Sequence, residues 1–300
     1  MKNNTKGEIT LQSTVSLNRP VRPKSKTGKT SWIAIVMFIL MVLVSILMIF
    51  PLLWLFGSSV KSISEIFTNP PTWIPHVWQW GNFTELFVNR GFGTVAWNSL
   101  LLSSVFTIAT LFLCGLGGFA FAKYQFRGKQ VLFVFVLASL MIPHEATMVP
   151  LFVIYKKFHL IDNLWGVILP DLANAFGIFF MRQYCRSIPD EMMEAARIDG
   201  CSEFTLFRKV VLPNLRSAFA ALGIILFVKQ WNNFMWPVVI LRSKENMTLA
   251  VALKALEDSN NTPYHLIMAG SVISVLPLII IVLIFQKQLI SGLTEGAVKG

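Results

Sequence analysis

Between Trp32 and Phe56 the chain carries no charged side chain, a stretch longer than the ~20 residues that take an α-helix across the hydrocarbon core of a bilayer. A segment apolar on every side cannot be covered by the single face a soluble core offers. Further apolar runs follow over 98–121, 164–181, 215–241 and 266–285. Charged residues make up 14% of the 300, against about 25% in soluble domains, and the mean hydropathy is +0.62. Runs of this length select helices, and the expected fold is all-α and integral to a membrane.

One further run, Val131 to Tyr155, is interrupted by Pro143-His144-Glu145. Counted as a single broken span, it puts the basic segment 182–216 (Arg182, Arg186, Arg197, Arg208, Lys209, Arg216) on the same side as the tail 1–31 and as Lys123, Arg127 and Lys129. Counted as two, it sends that segment outward, against the excess of Lys and Arg that marks cytoplasmic loops. The expectation is therefore about six helices with both termini cytoplasmic. Fewer basic residues (Lys61, Arg90, Lys156, Lys157, Arg242, Lys244, Lys254) fall outside. The net charge of +11 then needs no nucleic-acid partner. Residues 1–31 read as a basic cytoplasmic tail without a small-residue cleavage site, and residues 32–300 as one transmembrane domain. Trp73, Trp78 and Trp80, after the first span, suit a membrane–water boundary.

The cysteines Cys114, Cys185 and Cys201 form no C-x-x-C pair, and the four histidines are scattered, so neither a disulfide framework nor a metal site is expected. Gly28-Lys29-Thr30 ends like a phosphate-binding loop. However, Pro23 occupies the position of that loop's first glycine, and no strand precedes it. No other Walker motif occurs, and the chain is expected to bind no cofactor of its own. No Ser/His pair or His/Asp/Glu cluster argues for an enzyme.

The loop 187–213 has the most local structure in its sequence. Ser187 with Asp190 three residues on reads as a helix start with Pro189 in its first turn. Asp190 and Glu191 follow where the helix dipole favours acids. Ala195 and Ala196 are small, strong helix formers that let another surface come close. Gly200 reads as a left-handed stop, and Ser202 as the cap of a second helix running towards Pro213. On these grounds alone the loop is either a docking element or a structured connector.

Glu194-Ala195-Ala196, then Asp199-Gly200, then Leu212-Pro213 resemble the EAA loop of binding-protein-dependent ABC importer permeases. Asn98-Ser99, Phe121-Ala122-Lys123-Tyr124-Gln125-Phe126, Trp231 to Pro237 and Gly292 to Gly300 are similar to the carbohydrate-uptake branch, in particular its MalG-type permeases. The resemblance runs over about 30–300. It departs at Cys201, where alanine is usual, and at His144-Glu145, a less usual pair. It implies that 187–213, with Glu191, Glu194, Ala195, Ala196, Asp199, Gly200 and Pro213, couples the chain to ATPase subunits. It also implies a second, MalF-like permease, two ATP-binding subunits that use ATP and Mg, an extracytoplasmic sugar-binding protein that reaches the outer surface including 242–263, and location in a bacterial cell membrane.

Ionisable residues in or beside apolar runs are costly and usually face a cavity or a partner. Glu145, Asp171 and Lys229, with Asn174, Gln230, Asn232 and Asn233, read either as a polar lining for a sugar or as packing polarity. Trp231 and Trp236 would supply aromatic faces. Two alternatives stay open. One is the same architecture with another cargo such as glycerol-phosphate. The other is a secondary transporter using Glu145 or Asp171, which would have no need of the 187–213 loop.

Overall fold

The computed structural model describes residues 32–257 and 261–294; the N-terminal tail and the ending 295–300 lie outside the described residues. Every described element is helical. The chain divides into two compact units, Met1–Phe50 and Pro51–Gly300. Helix α1 (Trp32–Ser58) supplies all of the first unit that is described, and every side chain from Trp32 to Phe50 is exposed.

Within the second unit, two helices are long and apolar enough to cross a membrane unaided: α2 (Phe92–Lys123) and α11 (Tyr264–Thr294). Between them lie three bent pairs. Helices α3 (Lys129–Ser139) and α4 (His144–Lys157) meet at 99°. Helix α5 (Leu164–Ile168), extended by a 3-10 turn to Asp171, meets α6 (Ala175–Cys185) at 48°. The loop helices α7 (Asp190–Ile198) and α8 (Glu203–Leu206) follow. Helix α8 continues through a π-turn, Phe207–Val211, to Asn214. From there the chain turns by 84° into α9 (Arg216–Trp231), which leads to α10 (Met235–Ile240). With α1 this makes three long helices, or up to six spans if each bent pair counts once.

The break expected at Pro143 is present. Two further breaks, at 172–174 and 232–234, interrupt runs that the sequence presents as continuous. Helix α2 also starts earlier than the expected Asn98, because Gly91 enters it in the left-handed region at φ +70.

Helix α2 is the axis of the second unit, and small residues bring its neighbours in. A Cβ on Gly118 would sit 2.5 Å from Met181 Cβ and 2.7 Å from the Arg182 backbone nitrogen, and one on Gly177 2.6 Å from Cys114 Sγ. This is the close approach that glycines give membrane helices. The larger core cluster joins α2, α6, α9 and α10 with the loop helices through Phe106, Cys114, Met181, Met193, Leu206 and Leu222. A second cluster gathers Phe92, Phe227, Trp231, Leu249 and Leu266 near the start of α2.

Both ends of α2 are tied down by polar side chains. At its start, Asn98 Nδ2 donates to Glu245 O (2.6 Å) and Met247 O (3.1 Å), and Ser99 Oγ accepts from Leu249 N at 2.7 Å. At its other end, Lys123 reaches the 187–213 loop. The same two places carry the family-like Asn98-Ser99 and Phe121 to Phe126 sequences. Buried polar side chains that satisfy loop backbone are the physical reason for them.

Candidate functional site

Two features stand out: the loop 187–213 and a polar groove at the helix breaks. Helix α7 begins as the dipole argument requires, with Asp190 and Glu191 in its first turn. Its cap differs from the expected one. Pro189 is the N-cap residue, and Ser187 Oγ instead donates to Tyr184 O at 2.7 Å. The last turn of α6 tightens so that the Tyr184 carbonyl also accepts from the Ser187 backbone N–H at 3.0 Å, and this holds Ser187 at that helix's end. At its other end the expectation holds. Gly200 has φ +80, Gly200 N donates to Arg197 O and Cys201 N to Ala196 O (both 3.0 Å), the paired bonds of a Schellman stop. Ser202 Oγ caps α8 by accepting from Thr205 N at 3.3 Å.

The loop is braced against α2. Lys123, almost wholly buried along its stem, pairs with Asp190 at 2.7 Å and also donates to Ile188 O. Arg197 Nε donates to Glu203 Oε1 at 2.8 Å, linking the two loop helices, and the Tyr124 hydroxyl donates to the same carboxylate. The Lys123 ammonium holds the Asp190 carboxyl below its usual range, and the Arg197 and Tyr124 bonds do the same for Glu203. Burial, followed by its bond to Glu203, raises the Tyr124 phenol. Met193 and Leu206 anchor the underside in the core. Glu191, Glu194, Ala195, Asp199, Gly200 and Pro213 are exposed, whereas Ala196 packs against the core. Apolar Ile198 is 86% exposed at this corner and Phe204 is 58% exposed. The braces are not legible in the loop's own sequence, because Lys123 and Tyr124 lie 67 and 79 residues before their partners Asp190 and Glu203.

The groove has a volume of about 550 Å³. The third span contributes Ser139, Ile142 and His144 around its break, the fourth Asp171 and Asn174, and the fifth Lys229 and Asn233. All three breaks therefore open on one place. Irregular backbone at membrane depth is tolerated where it is buried in protein or lines a watery cavity, and here it lines a polar one. Lys229 Nζ and Asp171 Oδ2 are 2.9 Å apart. Asn174 Oδ1 caps α6 by accepting from Gly177 N at 2.8 Å.

The groove includes only part of the expected lining. Glu145 is exposed outside it, and Asn232 is exposed with its amide on Val228 O. Gln230 is buried. The two indoles offer no open face. Trp231 is buried, stacked on Phe227 and bonded to Ser274 O. Trp236 is buried, edge-on to Tyr155, and bonded to Gly166 O. Each N–H found a backbone carbonyl, which turns a large amphipathic ring into core. The Asp171–Lys229 pairing was not legible in advance, although Pro170 and Asn174 are the stop-and-cap residues that signal a helix break.

At the start-of-α2 end, sequence reading missed Asp162. Its carboxylate accepts from Arg242 N (2.9 Å), Ser243 N (3.0 Å) and Ser243 Oγ (3.0 Å), while Asn246 Nδ2 donates to its carbonyl at 2.8 Å. These donors, led by the Arg242 backbone N–H, lower its pKa. Among the described residues no group of three or more His, Cys, Asp or Glu could hold a metal ion.

Residues 114–295 match the model of the family described as the binding-protein-dependent transport system inner membrane component. The chain belongs to this family, and is thus a multi-spanning membrane permease subunit of the ABC-importer class. It is 41% identical over 272 residues to the arabinooligosaccharides transport system permease protein AraQ of Bacillus subtilis (strain 168), covering 89% of this chain and 96% of that one. It is 30% identical over 265 residues to the sn-glycerol-3-phosphate transport system permease protein UgpE of Pectobacterium atrosepticum, covering 85% and 94%. It is 29% identical to the lactose transport system permease protein LacG of Rhizobium radiobacter, covering 88% and 96%. A crystal structure of a bacterial ABC transporter involved in import of the acidic polysaccharide alginate shares the fold at TM-score 0.75 and 24% identity, over 85% of this chain and 95% of that one.

Proposed function

We propose that this chain is the MalG-type half of a sugar importer. It forms part of the translocation path with a second, MalF-like permease and transmits force from two ATP-binding subunits through the loop 187–213. An extracytoplasmic sugar-binding protein delivers the cargo. The observation that carries this reading is the construction of the loop. A short helix with exposed Glu191, Glu194 and Asp199 and an apolar corner at Ile198 is clamped to the end of α2 by Lys123 and Tyr124. A connector needs no such brace, whereas a lever must not yield when pushed. Closure of the ATP-binding subunits would move this helix, and the spans behind it would swing as nearly rigid bodies between inward-facing and outward-facing arrangements.

The groove at the three breaks is the proposed path, with Asn174, Lys229 and Asn233 on it. The 41% identity to an arabinooligosaccharide permease supports a carbohydrate cargo over glycerol-phosphate. The test of coupling is Gly200→Val, which cannot easily hold φ +80. Purified complex should still assemble and hydrolyse ATP while sugar uptake into proteoliposomes is lost. Gly200→Asn, which tolerates the left-handed region, should retain more uptake than the valine variant. Unchanged uptake by Gly200→Val at normal expression would sink the coupling role.

A further inference from the structure

Asp171 and Lys229 come from different broken spans and meet across the groove at 2.9 Å, with the ammonium side chain 48% exposed and the carboxylate 30% exposed. We propose that Asp171 is a specificity-determining residue. By neutralising the Lys229 ammonium, it fits the groove to uncharged, hydroxyl-rich cargo and turns away anionic cargo. The inference rests on the groove being the cargo path and adds the charge class of what passes.

At this exposure the pair contributes little to stability. Its effect is on the field in the groove. An unpaired ammonium attracts anions over a distance of several ångströms, and more so where low-dielectric walls focus the field. A touching pair leaves only a dipole, whose reach is short. Among the described residues, His144 is the sole other titratable side chain lining the groove. The remaining polar lining is amide and hydroxyl, from Asn174, Asn233, Ser139 and Thr147, the groups that exchange hydrogen bonds with sugar hydroxyls. A uronate or phosphate would have to pull Lys229 off Asp171 and then lie against an unpaired carboxylate. Discrimination of this kind comes from the repulsive partner as much as from the attractive one. The question is a real one for this family, since the chain is similar both to a lactose permease and to a glycerol-phosphate permease.

The field can be read directly in the assembled importer. With Cys201→Ala removing the partly exposed native thiol, Ser139→Cys places a reporter on the groove wall. Its reaction rates with anionic methanethiosulfonate ethylsulfonate and cationic methanethiosulfonate ethyltrimethylammonium give a ratio that reports local charge. Asp171→Asn should raise the sulfonate-to-ammonium ratio about tenfold, Lys229→Gln should lower it, and the double variant should return it to the parent's value. Millimolar arabinotriose should protect the reporter in the parent protein. Trigalacturonate should protect it only in Asp171→Asn.

If arabinotriose gives no protection, the groove is not the path and both readings fall. If arabinotriose protects but Asp171→Asn leaves the ratio unmoved, or trigalacturonate protects the parent equally well, the path stands and the role of Asp171 is overturned.

Discussion

Asp190 and Glu203 show how single side chains set the mechanics of the loop. Both carboxyls titrate lower in the folded chain than when free, because each is bonded to a cation or a phenol. Their bonds are therefore at full strength above the ordinary carboxylate range of about 4, and weaken only as pH falls through the depressed folded values. Hydrogen exchange over 188–206 should accordingly be insensitive to protonation of these groups near neutrality, after correction for intrinsic rates. Protection should fall on acidification below that range, and Glu203→Gln should show a similar loss at neutral pH. Loss of protection near pH 6 instead would point to a histidine and refute the assignment. The loop's helix, its acidic first turn and its left-handed stop were legible from local physics, because helix propensity, dipole and glycine conformation are all short-range. The brace was not. Nothing within ten residues of Lys123 indicates that its partner is Asp190.

At the scale of elements, the breaks matter more than the helices. Pro143 announces the first, since proline disfavours helical backbone before it. The break at 172–174 is held by Asn174, extended at ψ 113 and capping α6. Asn174→Ala should lower the melting point of the detergent-purified complex by an amount matching about 1 kcal/mol, and Asn174→Ser should lower it less, since serine also caps. Equal destabilisation by both would show that side-chain packing, not the cap, holds the break. Hydropathy could not find this break, because Leu164 to Met181 is apolar enough to read as one span. Whether such a run bends depends on what satisfies the freed N–H groups, and that is a question of a few particular side chains.

At the scale of the whole molecule, α2 links two sets of loops. Its start holds 245–249 and its end holds 188–203, so these two loop regions lie at opposite ends of one 32-residue helix. Together with the positive-inside excess this predicts that 187–213 is cytoplasmic and 242–249 external. With the native Cys201 replaced by alanine, an impermeant maleimide should label Lys244→Cys in intact cells, or in spheroplasts where an outer membrane blocks it. Ser187→Cys should react only after permeabilisation. The opposite pattern would overturn the topology, and with it the placement of the loop beside the ATP-binding subunits.

The sequence alone determined the class of solvent, the helical fold, the broken third span and the short helix with its glycine stop in the loop. Each of these follows from composition or from neighbours a few residues apart, where apolar run length and cap chemistry decide the outcome. Only the tertiary structure decided that three breaks share one groove, that Asp171 neutralises Lys229, and that Trp231 and Trp236 are core rather than lining. The physical reason is the same in each case. Charges and indole N–H groups in an apolar surround must find a partner, and which partner they find is set by how the helices pack.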